Sequence, residues 1–176
     1  MNNIFQNVKL DVSYLKSYFA IFKDETVVNR RDETRKVIQE ATEELVSSFG
    51  HIPTDLEYIF TTLIKHLRKN PEVFASAFAF LPEILCSCPV VLRDKSGFIK
   101  KDIAKEFMYA NAVWYDVPVK QRKSVWSAPY FDIGKAGEDI LLTSYSVPIF
   151  DKNSKLIGVV ISDLLLATLE DIKSIE

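Results

Sequence analysis

The chain has 176 residues, 48% of them hydrophobic and 26% charged, enough for one domain with a real apolar core. Its formal net charge is −2, and its basic residues are scattered, with no more than short clusters at Arg30-Arg31, Lys100-Lys101 and Lys120 to Lys123, so neither a strong field nor a phosphate-binding stripe points to nucleic acid. The most apolar stretch, Val73 to Leu85, is too short for a membrane span and contains Pro82 and Glu83, and the opening MNNIFQNVKLD lacks the basic-then-apolar order of a signal peptide.

The first third reads as helical. Residues 3–23 carry Ile4, Val8, Val12, Leu15, Phe19 and Phe22 at helical spacing. Asp24 to Asp32 is polar, a break or an exposed turn of a longer helix. A helix over 32–49 places Val37, Ile38, Ala41, Leu45 and Phe49 on one stripe, and Gly50 ends it. For the next helix Thr54 is the expected cap, with Glu57 three residues on as the reciprocal acid. Leu56, Ile59, Phe60, Leu63, Ile64 and Leu67 form its apolar face, and Asn70-Pro71 stops it.

The period then changes to two. VFASAFAF, 73–80, alternates large residues (Phe74, Phe78, Phe80) with small ones (Ala75, Ala77, Ala79). The small face suits close packing of a helix, so the capped helix is expected there. CPVVL, 88–92, reads as a short strand, followed by a turn at Asp94 to Gly97 and a helix over 101–110. An aromatic loop region follows, with NAVWYDVP and VWSAPYFD. DILLTSYSVPIF (139–150) and KLIGVVISD (155–163) read as strands joined by a DKNSK hairpin turn. A final helix is expected over 164–175. Helices first, then a meander of strands, give an α+β fold with an antiparallel sheet.

Some residues stand out chemically. VWSAPYFDIG puts Trp126, Tyr130, Phe131 and Asp132 within seven positions around a proline. Such a stretch is either an irregular strand entry with its aromatics in the core or the wall of a pocket, since aromatic faces and carboxylates together recognise cations. Asp163 shares a strand face with Ile157, Val159 and Ile161, where a carboxylate needs a partner. That partner is a ligand or a backbone amide that Asp163 caps at the start of the last helix. Asp132 has its own structural alternative, capping a turn over 133–137, and Trp114 and Trp126 have theirs in the core. Tyr145 is expected as a strand aromatic near the pocket. Cys86 and Cys88, one residue apart, would be strained as a bridge. With no further cysteine they cannot complete a structural zinc site. They read as two small, partly buried thiols, with a redox or metal role as the alternative.

NPEVFASAFAFLPE, VWY, WSAPYFD, TSYSVPI and GVVISD, in that order and spacing, resemble the Cache (PDC) sensor family. These are PAS-like domains that sense small molecules for bacterial histidine kinases, chemoreceptors, diguanylate cyclases and phosphatases. The resemblance runs from about Thr54 to the C-terminus. It implies a single Cache module over 51–176, a helical region over 1–50, and a ligand pocket between a central sheet and overlying loops. It also implies site residues: the aromatic pair Trp114 and Tyr115, the segment Tyr130 and Asp132, and the strand-ending acid Asp163. In amino-acid-binding members the two acids hold the ligand's ammonium, and a basic residue two positions before the Trp holds its carboxylate. Here that position is Ala112. An unpaired buried carboxylate costs a few kcal/mol, so the resemblance points to an amine or another small polar metabolite rather than an α-amino acid.

The sequence carries no catalytic constellation. Neither His51 nor His66 lies near a candidate nucleophile, and Gly134-Lys135-Ala136-Gly137 is too short for a phosphate loop. The reading is a non-enzymatic sensor with no cofactor or metal. It binds a small-molecule ligand through Trp114, Tyr115, Trp126, Tyr130, Asp132, Tyr145 and Asp163, and signals through its terminal helices to an output domain or protein. The rival is a ligand-free interaction module, a homodimer through the helix at 3–23, with the pocket filled by its own aromatics. A complete chain of this kind would be cytoplasmic; an excised receptor fragment would be extracytoplasmic.

Overall fold

The computed structural model describes residues 25–49, 53, 55–106, 108–132 and 140–168. The helix expected over 3–23 lies outside them. Three α-helices and seven strands appear in the order α1 (Glu25–Ser48), α2 (Leu56–Lys69), β1 (Ala75–Phe80), β2 (Pro89–Asp94), β3 (Gly97–Asp102), α3 (Val113–Gln121), β4 (Val125–Trp126), β5 (Tyr130–Asp132), β6 (Ile140–Phe150) and β7 (Leu156–Thr168). The strands form one antiparallel sheet in the order β3-β2-β1-β7-β6-β4, with β5 also paired to β6. The fold is the expected α+β type with an antiparallel sheet. No helix among the described residues is long and apolar enough to cross a membrane.

One face of the sheet carries α1 and α2. Ile38, Leu45 and Phe49 of this helical layer join Ile59, Leu63 and Leu67 over Phe78 and Phe80 of β1, Val91 of β2 and Val160 of β7. Phe49 meets Phe78 edge-on, with centroids 5.0 Å apart. The capped helix therefore packs on the large face of β1, not on the small one as the sequence suggested. Large side chains fill the gap to a helix, whereas the alanine face admits the rings of Tyr109, Trp114 and Tyr115 from the α3 side. The Tyr109 and Tyr115 hydroxyls both donate to the Phe80 carbonyl, at 2.9 and 3.2 Å.

Of the two alternatives for the polar run to Asp32, the structure has the longer helix, since α1 already begins at Glu25 and not at residue 32. Several other local expectations are corrected. The cap of α2 is Asp55, whose carboxylate accepts from the Glu57 amide at 2.9 Å. The far end of α2 is closed by Arg93 of β2, which donates to the carbonyls of Leu67, Asn70 and Val73. The helix expected over 101–110 is instead the end of β3 and two short 3₁₀ turns, Ile103–Lys105 and Tyr109–Asn111. The helix expected from residue 164 does not start there, because β7 continues to Thr168 in pairing with Ile140 to Leu142.

Two buried features of β7 have measurable consequences. Gly158 crosses β1 so closely that an added Cβ would lie 2.9 Å from the Phe80 Cα and nearer still to the Ala79 carbonyl oxygen. Gly158→Ala is expected to cost roughly 2–4 kcal/mol, because a backbone clash relaxes only by strand displacement. A shift in urea midpoint equivalent to under about 0.5 kcal/mol, the range of an ordinary surface substitution, would contradict that close approach. The second feature is His66 of α2, buried with its Nε2 3.1 Å from Ser162 Oγ and its Nδ1 accepting from Asn70 Nδ2 at 3.2 Å. Burial brings its pKa down from 6.5 to about 4; the charge of Glu44 opposes this, and Lys69 and Arg93 add smaller pushes in the same direction as burial. The folded state thus prefers the neutral ring. Stability is full above pH 6.5 and falls as pH drops toward 4, by on the order of 2–3 kcal/mol. The stability difference between wild type and His66→Asn should shrink by that amount over the window; a difference that stays constant with pH would show that the ring ionises freely.

Candidate ligand-binding site

The face of the sheet opposite α1 and α2 contains a cavity of about 70 Å³. Register places its floor. Ala75 pairs with both Leu92 and Asp163, and Ala77 with both Val90 and Ile161. Directly paired antiparallel residues share a face, so the small side chains of β1 leave a shallow trough between β2 and β7. Trp114 of α3 covers it from above, Tyr130 and Asp132 of β5 wall one side, and Lys101 of β3 stands at the other. Trp114 is held by an edge-on contact with Tyr115, at 6.2 Å and 89°.

Asp163 is the central polar group. It lies in the middle of β7 and is 7% exposed. Its Oδ1 accepts from Ser144 Oγ at 2.6 Å, and Ser144 Oγ is 2.8 Å from the Tyr130 hydroxyl. Ser144 spends its proton on the carboxylate, so Tyr130 is the donor to Ser144 and the relay runs Tyr130 to Ser144 to Asp163. Burial pushes Asp163 from 3.8 up to about 7, the Ser144 hydrogen bond opposes this, and the charge of Asp132 adds to it. Burial also raises Tyr130, with the Asp163 charge next, which keeps the phenol a donor. Asp163 has no ion pair among the described residues. An arriving cation would supply what burial has removed, and below pH 7 it would expel a proton on binding.

The structure brings Trp114, Tyr130, Asp132 and Asp163 to one cavity. It does not bring the other three expected residues there. Tyr115 stands behind Trp114, its ring against Tyr109 at 5.2 Å and its hydroxyl on the Phe80 carbonyl. Trp126 and Tyr145 lie on the opposite face of the sheet, their rings in tilted contact with centroids 5.2 Å apart. There Arg35 sits 4.5 Å above the Trp126 ring, and the Tyr145 hydroxyl donates to Glu43 Oε1 at 2.9 Å. They fasten α1 to the sheet. Asp163 is no helix cap, since β7 runs through it. The turn that Asp132 was alternatively expected to cap falls outside the described residues. Of the two thiols, Cys86 is exposed and Cys88 buried. No metal-binding cluster occurs among the described residues.

Sequence reasoning missed Ser144 and Lys101. Ser144 had a signal: a serine in an apolar strand two positions from a second one, Ser146. The Ser146 hydroxyl is the one buried side-chain polar atom without a hydrogen-bond partner among the described residues. Lys101 had none, because only the β2–β3 pairing of Val90 with Lys101 places it on the cavity face.

Known proteins share this fold. The extracellular domain of a proposed histidine kinase, soHK1S-Z6, is 25% identical and superposes with a TM-score of 0.69, over 92% of this chain and 65% of that one. The ligand-binding domain of the Campylobacter jejuni chemoreceptor Tlp3, solved with L-valine, is 14% identical with a TM-score of 0.63, over 94% and 66%. The ligand-binding domain of the Pseudomonas aeruginosa amino acid chemoreceptor PctC, solved with GABA, is 15% identical with a TM-score of 0.55, over 81% and 59%. The chain thus spans slightly under two thirds of the length of the first of these structures. No curated protein sequence matches it. Residues 59–171 match the family described as the first PDC sensor domain of methyl-accepting chemotaxis protein-like receptors. With most of the chain covered by that match, and with the α+β fold and antiparallel sheet shared, the chain belongs to this family of PDC sensor domains.

Proposed function

We propose that this domain senses a small molecule carrying an ammonium group, and that Asp163 and Asp132 hold the ammonium while Trp114 and Tyr130 enclose it. The observation that carries the reading is Asp163: a carboxylate buried in mid-strand, bonded through one oxygen, and lining a cavity with a second acid and two aromatics. Ring faces and charge-assisted hydrogen bonds select cations in such a place. Both acids line a cavity, whereas the rival of a ligand-free module calls for one filled by its own aromatics. L-valine and GABA, the ligands in the two chemoreceptor complexes, both bear an ammonium, which supports the same class here.

The site is read as non-catalytic. Among the described residues no histidine or cysteine lines the cavity, and the Ser144 hydroxyl is committed between Tyr130 and Asp163. Transmission would pass through β7. Asp163 faces the ligand, while its neighbour Ser162 faces His66 of α2 on the other side. A ligand that draws Asp163 toward itself moves the strand against the helical layer, and shifts an equilibrium only as far as it binds one arrangement better. An output domain or protein and an extracytoplasmic position in a larger receptor belong to the same reading.

A thermal-shift panel of small amines, amino acids and carboxylates tests it on wild type and on Asp132→Ala. An ammonium-bearing compound at about 100 times its dissociation constant should add roughly 2.7 kcal/mol of stability. That amounts to several degrees of melting temperature. Asp132→Ala, still folded by circular dichroism, should lose most of the response. A wild type that responds to no ammonium compound, or a variant that responds equally, contradicts the assignment.

A further inference from the structure

We infer that His66 is a positioning residue for Asp163: from the helical face of the sheet, through Ser162, it sets how tightly the cavity on the other face holds its ligand. The inference rests on the ammonium-sensing reading above and names a residue that governs affinity without touching the ligand.

Successive residues of a strand point to opposite faces, so Ser162 projects toward the helices where Asp163 projects into the cavity. A chain of hydrogen bonds holds Ser162. His66 Nδ1 accepts from Asn70 Nδ2 at 3.2 Å, which leaves the ring proton on Nε2 as the donor to Ser162 Oγ at 3.1 Å. Ser162 Oγ in turn lies 3.1 Å from Ser76 Oγ of β1. Ser76 and Ser162 are fully buried, and His66 is 7% exposed. A second tie runs through the backbone. Asn70 caps α2, and the chain leaving it reaches Phe74, whose amide donates to the Asp163 carbonyl at 2.8 Å. Phe74 itself lines the cavity. The end of α2 therefore grips two consecutive residues of β7, one by its side chain and one by its backbone.

The place of this chain is what needs explaining. The other buried residues of α2 are Ile59, Phe60, Leu63 and Leu67, and an aliphatic residue at 66 would continue that face. Polar groups in such a position must be desolvated and bonded to one another, with little net gain over apolar packing. What directional bonds add is a fixed position for each member. Ser76 pairs with Ser162, and Ala75 with Asp163, so the bonded row on the helical face lies one residue from the row that floors the cavity. With Ser162 fixed from α2, the Asp163 backbone is fixed too, and its carboxylate stays aimed at Ser144 and the cavity. A site held in place before the ligand arrives spends less binding energy on ordering itself.

Titration calorimetry on the whole chain tests this with ethylamine, L-valine and 4-aminobutanoate as probes, following the tightest binder, with circular dichroism confirming each fold. His66→Phe keeps a buried ring and loses the donor; it should weaken binding by about three- to tenfold, the range of one neutral hydrogen bond. His66→Gln, whose amide nitrogen can donate from near the Nε2 position, should stay within about twofold of wild type. Ser162→Ala should match His66→Phe, and the double variant should lose no more than either alone. Should His66→Phe fail to fold, Ser162→Ala, the smaller change, decides in its place. Ile59→Val loosens the same helix two turns away and should leave the affinity within about twofold. The ring supplies a second readout: its nitrogen NMR signals, assigned by their loss in His66→Gln, should shift when the probe saturates the opposite face. A His66→Phe or Ser162→Ala variant that binds like wild type, a His66→Gln variant as weak as His66→Phe, an Ile59→Val variant equally weakened, or ring signals that do not move would overturn the positioning role and leave the ammonium reading standing. If none of the three probes binds wild type, the ammonium reading fails and this inference fails with it.

Discussion

Asp163 sits in the central strand of the sheet, where an aliphatic side chain would cost far less, and much of the domain is arranged around tolerating it. An isolated carboxylate in such a position carries a desolvation penalty of several kcal/mol. Ser144 offsets part of it, and Tyr130 fixes the direction of the Ser144 hydroxyl. The remaining penalty appears as a pKa pushed up to about 7. A group kept half-ionised at neutral pH, with one oxygen available and aromatic faces nearby, is poised for a cation.

The rest of the sheet serves that placement. The alanines of β1 make the trough, and the phenylalanines between them anchor the helical layer behind it. The same alternation therefore builds a cavity on one side and a packed core on the other. Ser162 and Asp163 divide the two sides of β7 between them. One is bonded to a helix through His66; the other faces the cavity. At the sheet's far edge, Trp126 with Arg35 and Tyr145 with Glu43 tie α1 to β4 and β6. A displacement of β7 or β6 by a ligand has rigid attachments to act on. The coupling proposed above would be physical adjacency on single strands, not a long chain of contacts.

How much of this was legible in the residues depends on what each feature requires. Strands β6 and β7 and helix α2 follow directly from period and turn chemistry, and the two acids with Trp114 and Tyr130 follow from aromatic–acid composition and from the family resemblance. Helix α3 looks like loop in the sequence because Val113, Trp114, Tyr115 and Pro118 are poor helix formers; burial of the rings over Ala77 and Ala79 overrides that propensity. Tyr145 was expected near the pocket, and the reason it is not lies in register. Counted from the Phe150–Leu156 pair at the turn, Asp163 would face Thr143 and share a side with Tyr145. An irregularity between Ile149 and Phe150 shifts the ladder by one, so Asp163 faces Ser144. One residue of slip reverses every side chain, and nothing in the composition announces the bulge. Lys101 was hidden for the same reason, since its face is set by pairing across three strands.

The carboxyl carbon of Asp163, followed by carbon NMR through a pH titration with and without a saturating amine, reports on the central group itself. The account predicts a midpoint near 7 in the ligand-free protein and a marked fall once the amine is bound, because a paired ammonium favours the ionised form. A midpoint near the ordinary 3.8, unmoved by the amine, would mean that the carboxylate is already satisfied and that the cavity is not built around it.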